Sequence, residues 1–273
     1  MRHVLAIACC LLVAATAYAQ REFAVYASFE GAAADAPLPT DWDVPGELVI
    51  GRLMYPGGRF GFGGDWRQGR TSWTDDYPRG DRKLIEMVRR FTRTNVRGVE
   101  QPVNPEYADD VNYWPFMVVG LAQSWQLTDE IAATLREYLL RGGFLFCDSF
   151  FGTRNWIVFE ESLNRIFPDR PIVNLTGDEP VFHIVFDLPE MIHTQIPTAN
   201  TLMRGGGGFR NADSAVPHWR GVFDDDGRLM VLIAHNNDVA DAWQWADDPR
   251  YPADKVNLAL RFGVNVVMYA MTH

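Results

Sequence analysis

With 273 residues, 47% of them hydrophobic, the chain is long enough to bury one large core. A formal charge of −10 at pH 7 argues against nucleic acid and anionic membrane surfaces as partners. Two of the three cysteines lie in the first ten residues, so once these are removed Cys147 has no partner for an internal disulfide.

The chain opens with Arg2 and His3, then an apolar run from Val4 to Ala15, then Thr16-Ala17-Tyr18-Ala19-Gln20. Small residues at the third and first places before a cut form the signal-peptidase pattern. Residues 1–19 therefore read as a signal peptide cleaved after Ala19, and the protein as exported, to the periplasm or beyond. Cleavage removes Arg2 and leaves the mature chain one unit more negative. A lipid anchor at Cys9 or Cys10 fits poorly, because only Val4 to Ala8 precedes Cys9 and no Leu stands three places ahead of either cysteine. No later stretch approaches the roughly 20 apolar residues that a membrane span needs.

Residues 20–46 read as an N-terminal edge strand and linker: Phe23 to Ser28 alternates weakly, and Gly31 to Gly46 is rich in Ala, Pro and Asp. Residues 47–273 read as a single α/β domain. Glu47 to Tyr55 is a predicted strand, stopped by Pro56-Gly57-Gly58. Arg59 to Tyr77 is Gly- and Trp-rich without a period, and so long a loop is often functional. Leu84, Met87, Val88 and Phe91 predict a helix over Asp81 to Thr94. Strands are expected at Val96 to Val103 and Tyr113 to Val119.

Thr128 is placed to cap a helix whose first turn holds Asp129 and Glu130 and whose buried stripe is Ile131, Leu135, Tyr138 and Leu139. Gly142 suits the left-handed position after it. Phe144 to Cys147 is a short apolar strand without polar alternation, as in a sheet covered on both faces, and Asp148 stands at its end. A helix follows from Asn155 to Phe167. Gly221 to Phe223 and Arg228 to Ala234 flank Asp224-Asp225-Asp226-Gly227, which reads as a hairpin. Asp254 to Met271 reads as a final helix, with Val264-Asn265-Val266-Val267 open to an extended alternative. Gly205 to Gly208 follows no clear strand and precedes no Lys-Ser/Thr, so it reads as a surface loop.

Alternating strands and helices imply a mostly parallel sheet with helices on both faces. Ligands of such sheets bind outside the carboxyl ends of the strands. Tyr55, Asp148 and Asp238 each fall at or just after such an end and are expected to face one crevice.

Several runs resemble a bacterial domain-of-unknown-function family, number 4159. They are Arg52-Leu53-Met54-Tyr55-Pro56-Gly57-Gly58; Leu135 to Asp148, with Tyr138-Leu139, Gly142-Gly143-Phe144 and Asp148; Asp226-Gly227-Arg228-Leu229; Asn237-Asp238 with Trp243; and Arg261-Phe262-Gly263-Val264-Asn265 with Tyr269. The resemblance covers most of Glu47 to Thr272. It implies a three-layer, flavodoxin-like fold related to class I glutamine amidotransferases, and no established activity. Where the family pattern has His-Pro-x-Phe, this chain has Glu179-Pro180-Val181-Phe182.

Amidotransferase chemistry needs a thiolate on a glycine-flanked elbow and a histidine oriented by a carboxylate. Cys147 lacks the glycines, no His-x-Glu pair occurs, and adjacent Asp148 would raise a thiol pKa. Cys147 therefore reads as a core residue. Asp148 reads either as a functional carboxylate or as a cap or ion-pair partner for Arg52 or Arg154. Asp238 divides in the same way, between a functional role and a local Asx-turn.

Metal spacing is missing: His183 and His193 are not a helical pair, Asp224-Asp225-Asp226-Gly227 lacks the pattern of a calcium loop, and His235 with Asp238 gives two ligands only. Neither a metal nor a cofactor is expected.

Two functions stay open. One is a non-catalytic binding or interaction module for a protein or a small polar ligand, with a degenerate amidotransferase-like site and with Arg52, Trp66, Trp73, Asn237 and Trp243 as candidate contacts. Trp66 and Trp73 would either meet a ligand or pin their loop to the sheet. The other is a hydrolase-like enzyme using Asp148 as acid/base, Asp238 to orient water and Tyr55 as a hydrogen-bond donor.

Overall fold

A computed structural model describes residues 23–57, 64–206 and 212–273. The leader at residues 1–19 and its cut lie outside them, as do parts of the Arg59–Tyr77 and Gly205–Gly208 loops.

Among the described residues seven strands form one sheet: β1 (Gly51–Leu53), β2 (Gln101–Val103), β3 (Phe116–Val119), β4 (Phe144–Phe150), β5 (Val173–Asn174), β6 (His218–Phe223) and β7 (Leu229–His235). Their spatial order is β2-β1-β3-β4-β7-β6-β5. The first five in that order run parallel, and β6 and β5 extend the sheet antiparallel. The helices are α1 (Arg79–Phe91), α2 (Ala108–Val111), α3 (Asp129–Leu140), α4 (Thr153–Ile166), α5 (Ala199–Met203), α6 (Val239–Gln244) and α7 (Ala253–Thr272).

Successive strand residues point to opposite faces. Val118, Phe144, Phe146 and Leu232 join one apolar cluster, with residues of α1, α6 and α7. Met117, Val119, Leu145, Cys147 and Ile233 join another, with residues of α3 and α4. The sheet is thus covered on both sides, which is why its central strands lack polar alternation. Among the described residues, no helix is long and apolar enough to cross a membrane.

The centre forms as its sequence dictates. Ile131 N–H donates to Thr128 Oγ1 at 3.3 Å, and Gly142 adopts φ 110° just beyond the helix. Gly143 is required for a different reason: a Cβ there would lie 2.3 Å from the Tyr138 ring, whose hydroxyl bonds the backbone of Phe144.

Val264 to Val267 keeps the helical reading, inside α7. Three expectations are corrected. Phe23 to Ser28 is no strand; it makes a single bridge, Ala27 to Gly69, and is held by side chains, Ser28 Oγ donating to Thr74 O at 2.8 Å. The strand expected over Glu47 to Tyr55 shrinks to Gly51–Leu53, because Leu48 pairs only through an isolated bridge to Val96. Finally, β4 does not end at Cys147. It continues to Phe150, which pairs with His235 after an irregularity in register, so Asp148 lies within the strand.

Candidate functional site: an acidic crevice at the strand ends

Asp148 is completely buried. Its Oδ2 accepts the Ala240 N–H at 2.8 Å, while its Oδ1 has no hydrogen-bond partner. The bond ties β4 to the first turn of α6. Burial pushes the Asp148 carboxyl up to about 7; the amides of Ala240, Ser149 and Val239 pull it down, and nearby Asp241 pushes it further up.

The helix anchored in this way carries two further acids. Asp238 occupies its N-cap position yet makes no capping bond, so the Asx-type explanation of this residue is not what the structure has. Asp238 is 2% exposed and its Oδ1 is unpartnered. Asp241, one turn on, accepts the Ala199 N–H at 2.7 Å and so caps α5. Burial, and then repulsion by Asp241, Asp75 and Asp148, hold the Asp238 carboxyl far above the ordinary carboxylate range.

The opposite wall comes from the loop before α1. Asp75 and Asp76 face Asp238, and one carboxylate oxygen from each of the three lies within 4.8 Å of the others. Asp76 accepts the Ser149 hydroxyl at 3.3 Å, and its own N–H donates to Glu30 Oε2 at 2.7 Å. Glu30 also accepts from Gln244 Nε2 at 3.2 Å. Burial, then repulsion by Asp75, Asp241, Asp238 and Glu30, raises the Asp76 carboxyl strongly. Burial pushes Glu30 up to about 7.

Glu30, Asp75, Asp238 and Asp241 line a cavity of about 340 Å³, with Asn200, Arg204 and Trp245 among its other walls. Among the described residues, five without glycine's freedom hold positive φ, and four of them surround this end of the sheet: Asp76 (59°), Leu121 (42°), Ser149 (65°) and Asn236 (62°). Such backbone strain concentrates at functional sites. A larger cavity, about 900 Å³, runs along α1, and several of its long charged side chains are spent on pairs: Arg82 with Glu100, Lys83 with Glu86 and Asp247, Arg89 with Asp41.

Residues 65–271 match the family model of a domain of unknown function, DUF4159. The chain belongs to the DUF4159 family. Asp75, Asp76, Asp148, Asp238 and Asp241 all fall inside the DUF4159 stretch, whereas Glu30, Tyr55 and the Arg52–Gly58 run lie ahead of it. None of the curated proteins matches the chain.

Of the residues singled out in the sequence, the DUF4159 crevice brings Asp148 and Asp238 together. Tyr55 is buried, and its hydroxyl is shared between Gly120 O at 2.7 Å and Leu121 O at 3.1 Å, fixing the strained turn after β3. Arg52 is not the partner of Asp148: it grips Asp81 through Nε at 3.1 Å and Nη2 at 2.7 Å, fully buried. Trp73 is buried and donates Nε1–H to Trp66 O at 2.7 Å, so these tryptophans pin their loop. Trp243 is in the core and donates to Ala259 O. Asn237 accepts the Ile196 N–H at 2.9 Å.

Cys147 is buried, and burial, then Asp148, pushes its thiol up. His235 does not join Asp238. Its ring nitrogens meet Arg220 Nη1 and Gly152 O, and burial lowers its pKa to about 4.

Sequence reasoning missed Asp75, Asp76, Asp241 and Glu30. Two signals were there: a double Asp in a loop noted only for its tryptophans, and Asp241 three residues after Asp238, a helical spacing.

Proposed function

We propose that this DUF4159 protein is an exported, non-catalytic binding module whose strand-end crevice receives a small, positively charged polar ligand. The observation that carries it is the lining: four carboxylates around one cavity against a single cation among its walls, Arg204, with Arg52 nearby already paired to Asp81. A surplus of acids in a partly buried cavity is costly, and a cationic ligand offsets that cost.

The finer fold reading supports the placement. The five parallel strands follow the order β2-β1-β3-β4-β7, which corresponds to a flavodoxin-like sheet with its switch point between β1 and β3. Tyr55 and Leu121 stand at that point. Export rests on the leader pattern before Gln20, and mass spectrometry of the secreted chain checks it by the new N-terminus.

The test is titration of the purified chain with spermidine and with calcium chloride, wild type against Asp238→Asn. Saturable binding of either cation, weakened by the substitution, supports the module. Indifference to both sinks it.

The hydrolase-like reading keeps one observation in its favour: a carboxyl raised to about 7 at Asp148 is in the range of a general acid/base. Asp148, however, is not among the residues lining the cavity. Hydrolysis of a panel of esters and glycosides, abolished by Asp148→Asn with the fold intact, would restore that reading.

A further inference from the structure

We propose that Asp75, Asp76 and Asp238 form a binding site for a divalent cation of calcium's size. The proposal rests on the binding reading above and names the occupant of that crevice.

The first argument is spacing. Calcium takes oxygen ligands at about 2.3–2.6 Å, so oxygens sharing one ion stand at most about 5 Å apart. The three carboxylate oxygens here meet that limit, all within 4.8 Å of one another. Three protein carboxylates around one ion suit calcium, because magnesium usually keeps several waters and is held by one or two carboxylates.

The second argument is independent of the clustering. Asp238 Oδ1 is buried and has no donor, although Asp238 lines the cavity. A buried carboxylate oxygen without a hydrogen bond is expensive unless something outside the chain completes it. Asp148 Oδ1, just behind, is also unpartnered. Other acids in contact with the cavity are committed, Asp241 to the Ala199 amide and Glu30 to the Asp76 amide. The chain thus commits Asp241 and Glu30 to backbone amides and leaves a buried oxygen open on Asp238, which lines the cavity.

The third argument is charge. The buried guanidinium of Arg52 feels Glu30, Asp75, Asp76 and Asp81 and is held by Asp81 in a two-bond clamp, while Asp238 is repelled by Asp241, Asp75 and Asp148. Two positive charges at the centre of Asp75, Asp76 and Asp238 balance this assembly where a neutral ligand would not. A hard ion also suits the donor set, which is all oxygen.

The experiment is calorimetric titration of the chelator-treated full chain with calcium chloride and magnesium chloride at matched ionic strength, alongside thermal melting. We expect one calcium per chain, a melting temperature raised by several degrees at millimolar calcium, and weaker binding of magnesium. Asp238→Asn and Asp76→Asn should each lower calcium affinity at least tenfold. Asp247→Asn, which alters an exposed carboxylate on Lys83, should leave it unchanged.

A melt of each cation-free variant separates lost binding from lost fold, and either variant alone suffices as the test. No saturable calcium binding, tighter magnesium binding, or calcium binding untouched by both substitutions overturns the proposal. If spermidine binds while calcium does not, the cation site falls and the binding module stands. If neither binds, both fall.

Discussion

The carboxylate of Asp148 accepts the amide of Ala240 at 2.8 Å, joining the middle of the sheet to the helix that presents Asp238 and Asp241. One group from β4 thereby sets the position of two acids that come almost a hundred residues later in the chain.

Substituting Asp148 tests that anchor. Asp148→Ala leaves the Ala240 amide without its acceptor and should cost about 1–3 kcal/mol, read as a lower urea midpoint. Asp148→Asn keeps an acceptor oxygen and should cost far less. Equal losses in the two variants would show that the charge, not the hydrogen bond, holds α6.

Asp238 predicts the opposite sign. Asp238→Asn relieves repulsion among Asp75, Asp148 and Asp241 without breaking a hydrogen bond of its Oδ1. The cation-free melting temperature should rise by roughly 2–4 °C, which is about 1 kcal/mol for a chain of this size. A fall would make Asp238 a structural group.

Stability should also depend on pH in a defined direction. Burial raises Asp148 and Glu30 to about 7, and raises Asp76 and Asp238 as well, so the folded chain holds protons that the unfolded chain has released. Such groups stabilise fully below the unfolded carboxylate range, and that stability is lost as pH rises through the folded values. His235, lowered by burial to about 4, and His218, also lowered by burial, act the other way, but only below the ordinary histidine pKa of about 6.5. From pH 6.5 to 8 the carboxyl effect should therefore dominate. The cation-free melting temperature should decline over that interval, and Asp148→Asn should flatten the decline. A constant or rising melting temperature would contradict the assignment.

The Arg52–Asp81 pair gives a larger effect. Arg52→Met strands a buried carboxylate and should cost about 3–5 kcal/mol, while the double change Arg52→Met with Asp81→Leu should recover much of it. Chemical denaturation of Arg52→Met, Asp81→Leu and the double variant measures the coupling.

Much of the architecture was legible from local chemistry. Thr128 and Gly142 bounded α3 because capping and left-handed geometry depend on nearby atoms only. The unbroken apolar run Phe144 to Cys147 signalled a doubly covered strand. The end of β4 was not legible, since its continuation past Asp148 depends on pairing with His235, far along the chain. The site divided in the same way. Asp148 and Asp238 stood out by following apolar strands, but Asp75, Asp76 and Glu30 come from irregular segments whose placement is tertiary. The tryptophans misdirected attention, because a polar, Gly-rich loop gives no local sign that Trp73 turns inward.

Glu30 reaches the crevice from a segment that precedes the DUF4159 stretch, yet it holds Asp76 by the backbone and supplies one side of the cavity. The site is therefore assembled from two pieces, a floor inside the family stretch and a front panel ahead of it. A chain with the same floor and a different panel would keep Asp75, Asp76 and Asp238 while changing how wide the entrance is and what size of guest passes it. Exchanging residues 23–46 between such chains would retune selectivity without touching the floor.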